Sequence, residues 1–356
     1  MVLAGKVHSA VTTTIYAMMG VMGLLLVNIL TVSPSVADDS AADFIEFDDQ
    51  PLAEDLVLPE WFKLSFLELK NDLSEAVEAG KRGLIIYFGQ VDCPYCKAHL
   101  EKNWSDRGIV SYTQKYFDVV AIDVRGDRPV ADFKGTIHKT EKSYAAKLKT
   151  DFTPSLLFYD ENGKEVLRLS GYHPPYQFRA ALEYVADRHY LKESLMAYLK
   201  RGESVASYEE SELNESALFS SPPYALSRHQ VSAQMPMVVF FEQPTCHACN
   251  VLHAGPMLDK NSVEKFKKID VVQLDINADT PVITPQGERL TARQWAQNLG
   301  IYYAPTLIFF DETGKEILRV DSVIRFYRLN GVLEYITSKA YHEYSTFQLW
   351  RHRKRK

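Results

Sequence analysis

Leu84-Ile85-Ile86-Tyr87-Phe88 leads into Cys93-Pro94-Tyr95-Cys96. At an offset of 153 residues, Met237-Val238-Val239-Phe240-Phe241 leads into Cys246-His247-Ala248-Cys249. The echo continues downstream. Thr153-Pro154-Ser155-Leu156-Leu157-Phe158-Tyr159-Asp160 matches Ala304-Pro305-Thr306-Leu307-Ile308-Phe309-Phe310-Asp311. Gly163-Lys164-Glu165 matches Gly314-Lys315-Glu316, and Leu182-Glu183-Tyr184-Val185 matches Leu333-Glu334-Tyr335-Ile336, with the offset held at 151–153. A repeat of this kind indicates a duplicated domain. Each copy, on the order of 130 residues, is long enough to enclose its own core.

Within a copy the pattern alternates. Ser65 to Lys81 has amphipathic helical spacing, with Phe66, Leu69, Leu73, Ala76 and Val77 on one face. The apolar runs 84–88 and 237–241 read as strands buried in a sheet, and each Cys-x-x-Cys opens a helix. Val119–Val124 and Val271–Ile276 are the next strands. Short helices at 145–149 and 291–299 precede Pro154 and Pro305, and strands follow those prolines. Asn162-Gly163 and Thr313-Gly314 supply hairpin turns, and a closing helix ends each copy. The expected fold is α/β, with two tandem domains, each a central mixed β-sheet flanked by helices. The boundaries expected are 63–200 and 227–345. A Glu- and Ser-rich linker at 201–226, part helical through 211–217, joins them.

All four cysteines lie in the two Cys-x-x-Cys pairs. A bridge across so short a loop removes little unfolded-chain entropy, so it contributes little stability. It suits exchange chemistry, in which one thiol attacks a disulfide and its neighbour resolves the mixed disulfide. A helix N-terminus favours the thiolate of the first Cys, while the second lies one turn in. Strand, Cys-x-x-Cys helix and Thr-Pro before a strand together resemble the thioredoxin superfamily. In the first copy, Val91-Asp92-Cys93-Pro94-Tyr95-Cys96-Lys97, Phe152-Thr153-Pro154, Phe158-Tyr159-Asp160 and Gly171-Tyr172-His173 resemble its periplasmic, sulfur-oxidation-associated branch. The resemblance implies dithiol–disulfide exchange, with Cys93 and Cys246 as nucleophiles and Cys96 and Cys249 as resolving thiols. It also implies cis-proline loops at Thr153-Pro154 and Ala304-Pro305 that hold a substrate strand. No dissociable cofactor is implied. A membrane thiol electron donor is the implied partner of an exported reductase.

There are departures from the family pattern. Tyr87 and Phe240 stand where many thioredoxins bury an Asp, and Ala304 replaces the Thr before the second Pro. These favour the first copy as the active one. Pro94-Tyr95 and His247-Ala248 tune their pairs differently. A protonated His247 would stabilise the Cys246 thiolate and raise that pair's potential, so electrons would pass from copy one to copy two. The alternative is that His247 points to solvent and changes little. Reductase, oxidase and isomerase share these residues; the branch resemblance favours a reductase of protein or small-molecule disulfides. A client-binding module with passive pairs is a different reading. So is a metal-handling one, with four thiolates around zinc or a pair around Cu(I). The zinc case would require the copies to dock face to face. His99 and His253 read as solvated or partly packed, and Tyr87, Phe88, Phe240 and Phe241 as core. Asp92 and Gln243 lie at the site's rim or in a solvated turn.

The ends differ from the body. The chain has 356 residues and a net charge of −6, which argues against a general nucleic-acid binder. Its 46% hydrophobic and 24% charged composition excludes a disordered or fibrous chain. Residues 7–37 carry no Asp, Glu, Lys or Arg, and Ser35-Val36-Ala37 ends an apolar stretch. This reads as a secretory signal cleaved after Ala37, with an uncleaved anchor as the competing reading. Both place the remainder outside the cytoplasm, the periplasm being the compartment the branch resemblance suggests. Residues 38–62 are expected to be an acidic, poorly ordered spacer. Residues 346–356 read as a basic tail, either solvated or touching anionic lipid.

Overall fold

The computed structural model describes residues 47–202 and 212–354. The expected signal or anchor and the first part of the acidic lead lie outside the described residues. Among the described residues no helix is long and apolar enough to cross a membrane.

Copy one comprises α1 (Leu69–Glu78), β1 (Gly83–Gly89), α2 (Pro94–Ala98), α3 (Arg107–Tyr116), β2 (Phe117–Asp123), a small β3–β4 ladder (Val130–Ala131 and Ile137–His138), α4 (Glu141–Lys147), β5 (Ser155–Asp160), β6 (Glu165–Ser170), α5 (Pro175–Ala186) and α6 (Leu195–Gly202). Its main sheet has the order β2-β1-β5-β6. β1 runs parallel to β2 and antiparallel to β5, with Ile86 opposite Val120 and Leu157. All seven residues of β1 are buried, as expected for a central strand covered on both faces.

Copy two follows with β7 (Tyr224–Ala225), β8 (Met237–Glu242), α7 (His247–Ala254), α8 (Lys260–Phe266), β9 (Asp270–Asp275), β10 (Pro281–Ile283), β11 (Arg289–Thr291), α9 (Ala292–Asn298), β12 (Thr306–Phe310), β13 (Glu316–Val320), α10 (Phe326–Thr337) and α11 (Phe347–Lys354). Its main sheet, β13-β12-β8-β9, repeats that of copy one, and β7 joins a separate β11-β10-β7 sheet. Each copy is therefore built on a four-stranded mixed sheet flanked by helices, with a smaller sheet beside it.

The cores interpenetrate. Phe152 of copy one packs in the cluster of Phe240, Leu329 and Phe347, whereas Val323 of copy two packs with Tyr95, Tyr172 and Phe178. Each such side chain stabilises the join by about 1.5–3 kcal/mol through apolar burial. The loops after β6 and β13, equivalent in the repeat, face one another, and the Val323 amide donates to the Tyr172 carbonyl at 3.2 Å. Gly171 has φ +98°, and a Cβ there would lie 2.0 Å from Ser322 Oγ. Only glycine meets both demands.

Several expectations are corrected. The first helix begins at Leu69 rather than Ser65, because Leu67 adopts φ +62° and the Ser65 hydroxyl accepts from its amide. Phe66 is consequently 97% exposed, and Val77 also faces solvent. Residues 212–217 of the linker form no helix. Leu218 and Phe219 instead pack on the core of copy two, and the Ser220 amide donates to the Val271 carbonyl at 2.8 Å. The tail is anchored at its start, where Phe347 opens α11 fully buried among Phe152, Tyr335 and Trp350, while Arg353 and Lys354 are exposed as expected. The acidic lead from Phe47 to Pro59 is no loose spacer. Its Leu52 and Leu56 amides donate to the carbonyls of Asp92 and Val91, at 3.1 and 2.8 Å, which lays it along the loop before Cys93.

Candidate active site

In both copies the first cysteine is the N-cap of the helix that follows the central strand. Cys93 is extended (φ −91°, ψ 110°), Pro94 occupies the first turn of α2, and the Cys96 amide donates to Cys93 Sγ at 3.0 Å. Cys246 caps α7 in the same way, with the Cys249 amide at 3.1 Å. A free helix N–H aimed at sulfur favours the thiolate after reduction. Both pairs are disulfide-bonded, with Cα–Cα distances of 5.1 and 5.2 Å. The Thr153–Pro154 and Ala304–Pro305 peptides are cis. The carbonyl before each Pro lies 3.5 Å from the sulfur of Cys93 or Cys246. The Thr153 hydroxyl adds a donor to Cys93 Sγ at 3.2 Å, which Ala304 cannot supply.

The two sites differ most in access. Cys93 is 1% exposed, and Pro94, Tyr95, Thr153 and Pro154 around it are all buried. Cys246 is 7% exposed, beside exposed Thr245 and His247 and half-buried Ala248 and Ala304. Cys96, Cys249 and Pro305 are buried.

Two elements lie over the first site. From the lead, Phe47 sets its ring edge-on to Tyr95 at 4.9 Å, and buried Asp49 accepts from the Tyr95 hydroxyl at 2.8 Å. From copy two, the Arg325 amide donates to the same hydroxyl at 2.9 Å, and the Arg328 guanidinium lies 3.3 Å from the centre of the Tyr95 ring. Arg328 Nη2 also donates to the Thr153 carbonyl at 2.8 Å. The remaining capacity of Asp49 is taken by the amides of Tyr327 and Arg328, at 2.9 and 2.8 Å. Asp49 thereby satisfies two of the orphan N–H groups at the start of α10, whose own N-cap residue, Arg325, makes no side-chain cap. Burial pushes the Tyr95 phenol well above its ordinary range and draws Arg328 down to about 10.

Tyr87 and Phe240 are core residues, and burial raises the Tyr87 phenol. Gly89 accommodates Tyr87, since a Cβ there would lie 2.6 Å from its ring. His99, expected to be solvated or partly packed, is fully buried between Trp104 and Phe178. Desolvation, with nearby His173, lowers it to about 3. His173 lies 2.9 Å from the Asp321 carbonyl through Nε2, which must therefore carry the proton, and desolvation lowers it to about 4. In copy two, fully buried Glu242 meets His253 at 2.9 Å and accepts from Gln273 at 2.7 Å. Asp92 pairs with Arg125 at 3.0 Å, and Gln243 is half-buried.

Asp49, Arg328 and Glu242 were not singled out from the sequence. Glu242 left a signal, an acid closing an otherwise apolar strand. Arg328 left only its difference from Gln177, its equivalent in copy one, and Asp49 was one of nine acids in the lead.

A family model described as a thioredoxin-like domain matches residues 69–186 and again 228–337. No curated protein matches the chain. Among solved structures, a thioredoxin-fold protein from Helicobacter pylori is 23% identical, with a TM-score of 0.32, over 40% of this chain and 91% of that one. A thioredoxin from Thermus thermophilus is 25% identical, with a TM-score of 0.26, over 32% of this chain and 81% of that one. A DsbH oxidoreductase is 12% identical, with a TM-score of 0.27, over 37% and 91%. With the family's domain matched twice, over more than half of its length, the chain belongs to the thioredoxin-like domain family.

Proposed function

We propose that this chain is an exported thiol–disulfide oxidoreductase, working as a reductase of protein or small-molecule disulfides. The observation that carries the reading is the repeated geometry: a sulfur capped by its helix amide and standing 3.5 Å from the carbonyl before a loop proline. In the reaction, the Cys246 thiolate attacks one sulfur of a client disulfide. The client S–S bond breaks and its second sulfur leaves as a thiolate that takes up a proton. Cys249, once deprotonated, attacks Cys246 Sγ and releases the first client sulfur. Two electrons pass to the client, and the Cys246–Cys249 disulfide forms.

Cys246 is assigned as the client-facing nucleophile because its surroundings are open, whereas Cys93 lies beneath the lead and α10. This reverses the preference that Thr153 gave the first copy from sequence. An electron relay would pass from Cys93–Cys96 to the other pair once the cover over Cys93 opens. The direction follows the higher potential, which would lie at Cys246–Cys249 where the exposed His247 stabilises the Cys246 thiolate. The apolar 7–37 stretch supports export, and a membrane thiol donor would return the electrons.

The test is single-turnover reduction of insulin by the fully reduced protein. Wild type should deliver two electron pairs per chain and the Cys93→Ser/Cys96→Ser variant one. The Cys246→Ser/Cys249→Ser variant should deliver electrons only slowly. If serine at all four positions leaves the protein's cellular function intact, the chain is a binding module and the oxidoreductase reading fails.

A further inference from the structure

We propose that Arg328, supplied by the second copy, is a positioning residue of the first copy's redox centre, favouring the reduced thiolate form of Cys93. This deepens the oxidoreductase reading and rests on it. The quantity it concerns, the potential of Cys93–Cys96, can be measured whether or not a client is ever turned over.

The argument starts from hydrogen-bond capacity. A Cys93 thiol needs an acceptor, and the Thr153 carbonyl, 3.5 Å from the sulfur, is the one at hand. That carbonyl already accepts from Arg328 Nη2 at 2.8 Å. A carbonyl engaged by a guanidinium is a poorer acceptor for a thiol proton. A thiolate needs donors, and two already converge on the sulfur: the Cys96 amide at 3.0 Å and the Thr153 hydroxyl at 3.2 Å. Both sides of the balance disfavour the protonated sulfur.

The charge acts in the same direction. The guanidinium is buried, stacked on Tyr95 at 3.3 Å and more distantly on Phe152 at 5.1 Å. Its Nε and Nη1 find no hydrogen-bond partner among the described residues. The nearby carboxylate, Asp49, accepts from the backbone amide of Arg328 rather than from its side chain. Burial first, with the second positive charge of Arg351 nearby, brings Arg328 down to about 10 against the opposing pull of Tyr95 and Asp49. A buried cation so lightly compensated gains from an anion forming beside it. The electron balance is simple: Cys93–Cys96 takes two electrons and one proton, giving the Cys96 thiol and the Cys93 thiolate. Stabilising that thiolate makes the pair easier to reduce. The same Tyr95 contact fixes the side chain at the third position of the Cys-x-x-Cys, where copy two has Ala248.

The test is redox equilibration of the full chain in glutathione buffers, reading each pair by alkylation and peptide mass. Arg328→Gln should shift the equilibrium of Cys93–Cys96 about tenfold toward the disulfide, which is about 30 mV for a two-electron couple. Cys246–Cys249 should not move. Arg328→Lys, which keeps the charge, should recover most of the shift. Asp49→Asn removes negative charge from the same site and should shift the pair the opposite way, toward the dithiol. A loosened structure alone would move the Arg328→Gln and Asp49→Asn proteins alike. An unchanged equilibrium in Arg328→Gln, or the same sign of shift in both, overturns the proposal. If Arg328→Gln does not fold, a shift toward the disulfide or none in Asp49→Asn overturns it equally.

Discussion

Removing the Asp49 carboxylate should open the first disulfide site. The carboxylate accepts three hydrogen bonds, from the Tyr95 hydroxyl, the Tyr327 amide and the Arg328 amide, at 2.8–2.9 Å. Bonds to a charged partner contribute about 1.5–3 kcal/mol each, so three would sum to about 5 kcal/mol at the low end. They share one acceptor and water can enter the truncated site, so about 3 kcal/mol is the working figure for Asp49→Ala. Local opening of the lead over residues 91–95 should then be favoured roughly 100-fold, at about 1.4 kcal/mol per tenfold. The assay is time-resolved alkylation of the reduced protein with a bulky maleimide, with Cys93 and Cys246 read on separate peptides. In wild type Cys246 should react much faster than Cys93. In Asp49→Ala the Cys93 rate should rise about two orders of magnitude while Cys246 stays constant. Equal rates in wild type, or an unchanged Cys93 rate in a folded variant, would refute the idea that the lead closes this site.

Other consequences can be measured with standard unfolding experiments. Glu242→Ala strands His253 and Gln273 without their buried partner and should cost about 3–5 kcal/mol in urea unfolding; a loss below 1 kcal/mol would mean water replaces the carboxylate. Phe347→Ala should cost about 3–5 kcal/mol, where a solvated tail would lose nothing. Burial holds His173 at about 4, so its contribution is full above about 6.5 and fades as pH falls. Asp321 runs the other way: burial raises it to about 6, so its contribution is present below about 3.8 and lost as pH rises through 6. Asp321→Asn should therefore fall behind wild type by about 1.1 kcal/mol as pH is lowered from about 5.5 to about 4.5, and a constant gap would show that Asp321 is not protonated in the fold.

The sheets were legible because β1 and β8 are continuous apolar runs ending at a fixed distance from a Cys-x-x-Cys, and because the same pattern occurs twice. Local rules located the cysteines, the loop prolines and the hairpin turns for the same reason, since each depends on neighbours a few residues away. What covers Cys93 was not legible. Asp49 and Tyr327 are 278 residues apart in sequence, and nothing in either segment's composition marks the other. Phe66 misled because its spacing fits the helix face, whereas the positive φ at Leu67 starts the helix later. The tail misled through charge: five of its last six residues are Lys or Arg, but the anchor is Phe347, just before them. His99 looked like a surface residue because its only local signal was polarity, and its ring neighbours Trp104 and Phe178 come from outside α2.

The facing loops after β6 and β13 are equivalent segments, so the molecule resembles a dimer whose subunits have been joined end to end. In a true homodimer the interface is isologous, and anything one subunit buries the other must bury as well. Covalent duplication lifts that constraint. Gln177 and Arg328 occupy equivalent positions on the closing helices α5 and α10, and Arg328 reaches across to the Thr153 carbonyl of the other half. The second half thereby covers the first half's cysteines while its own stay open, a division of labour that two identical subunits related by a two-fold axis could not adopt.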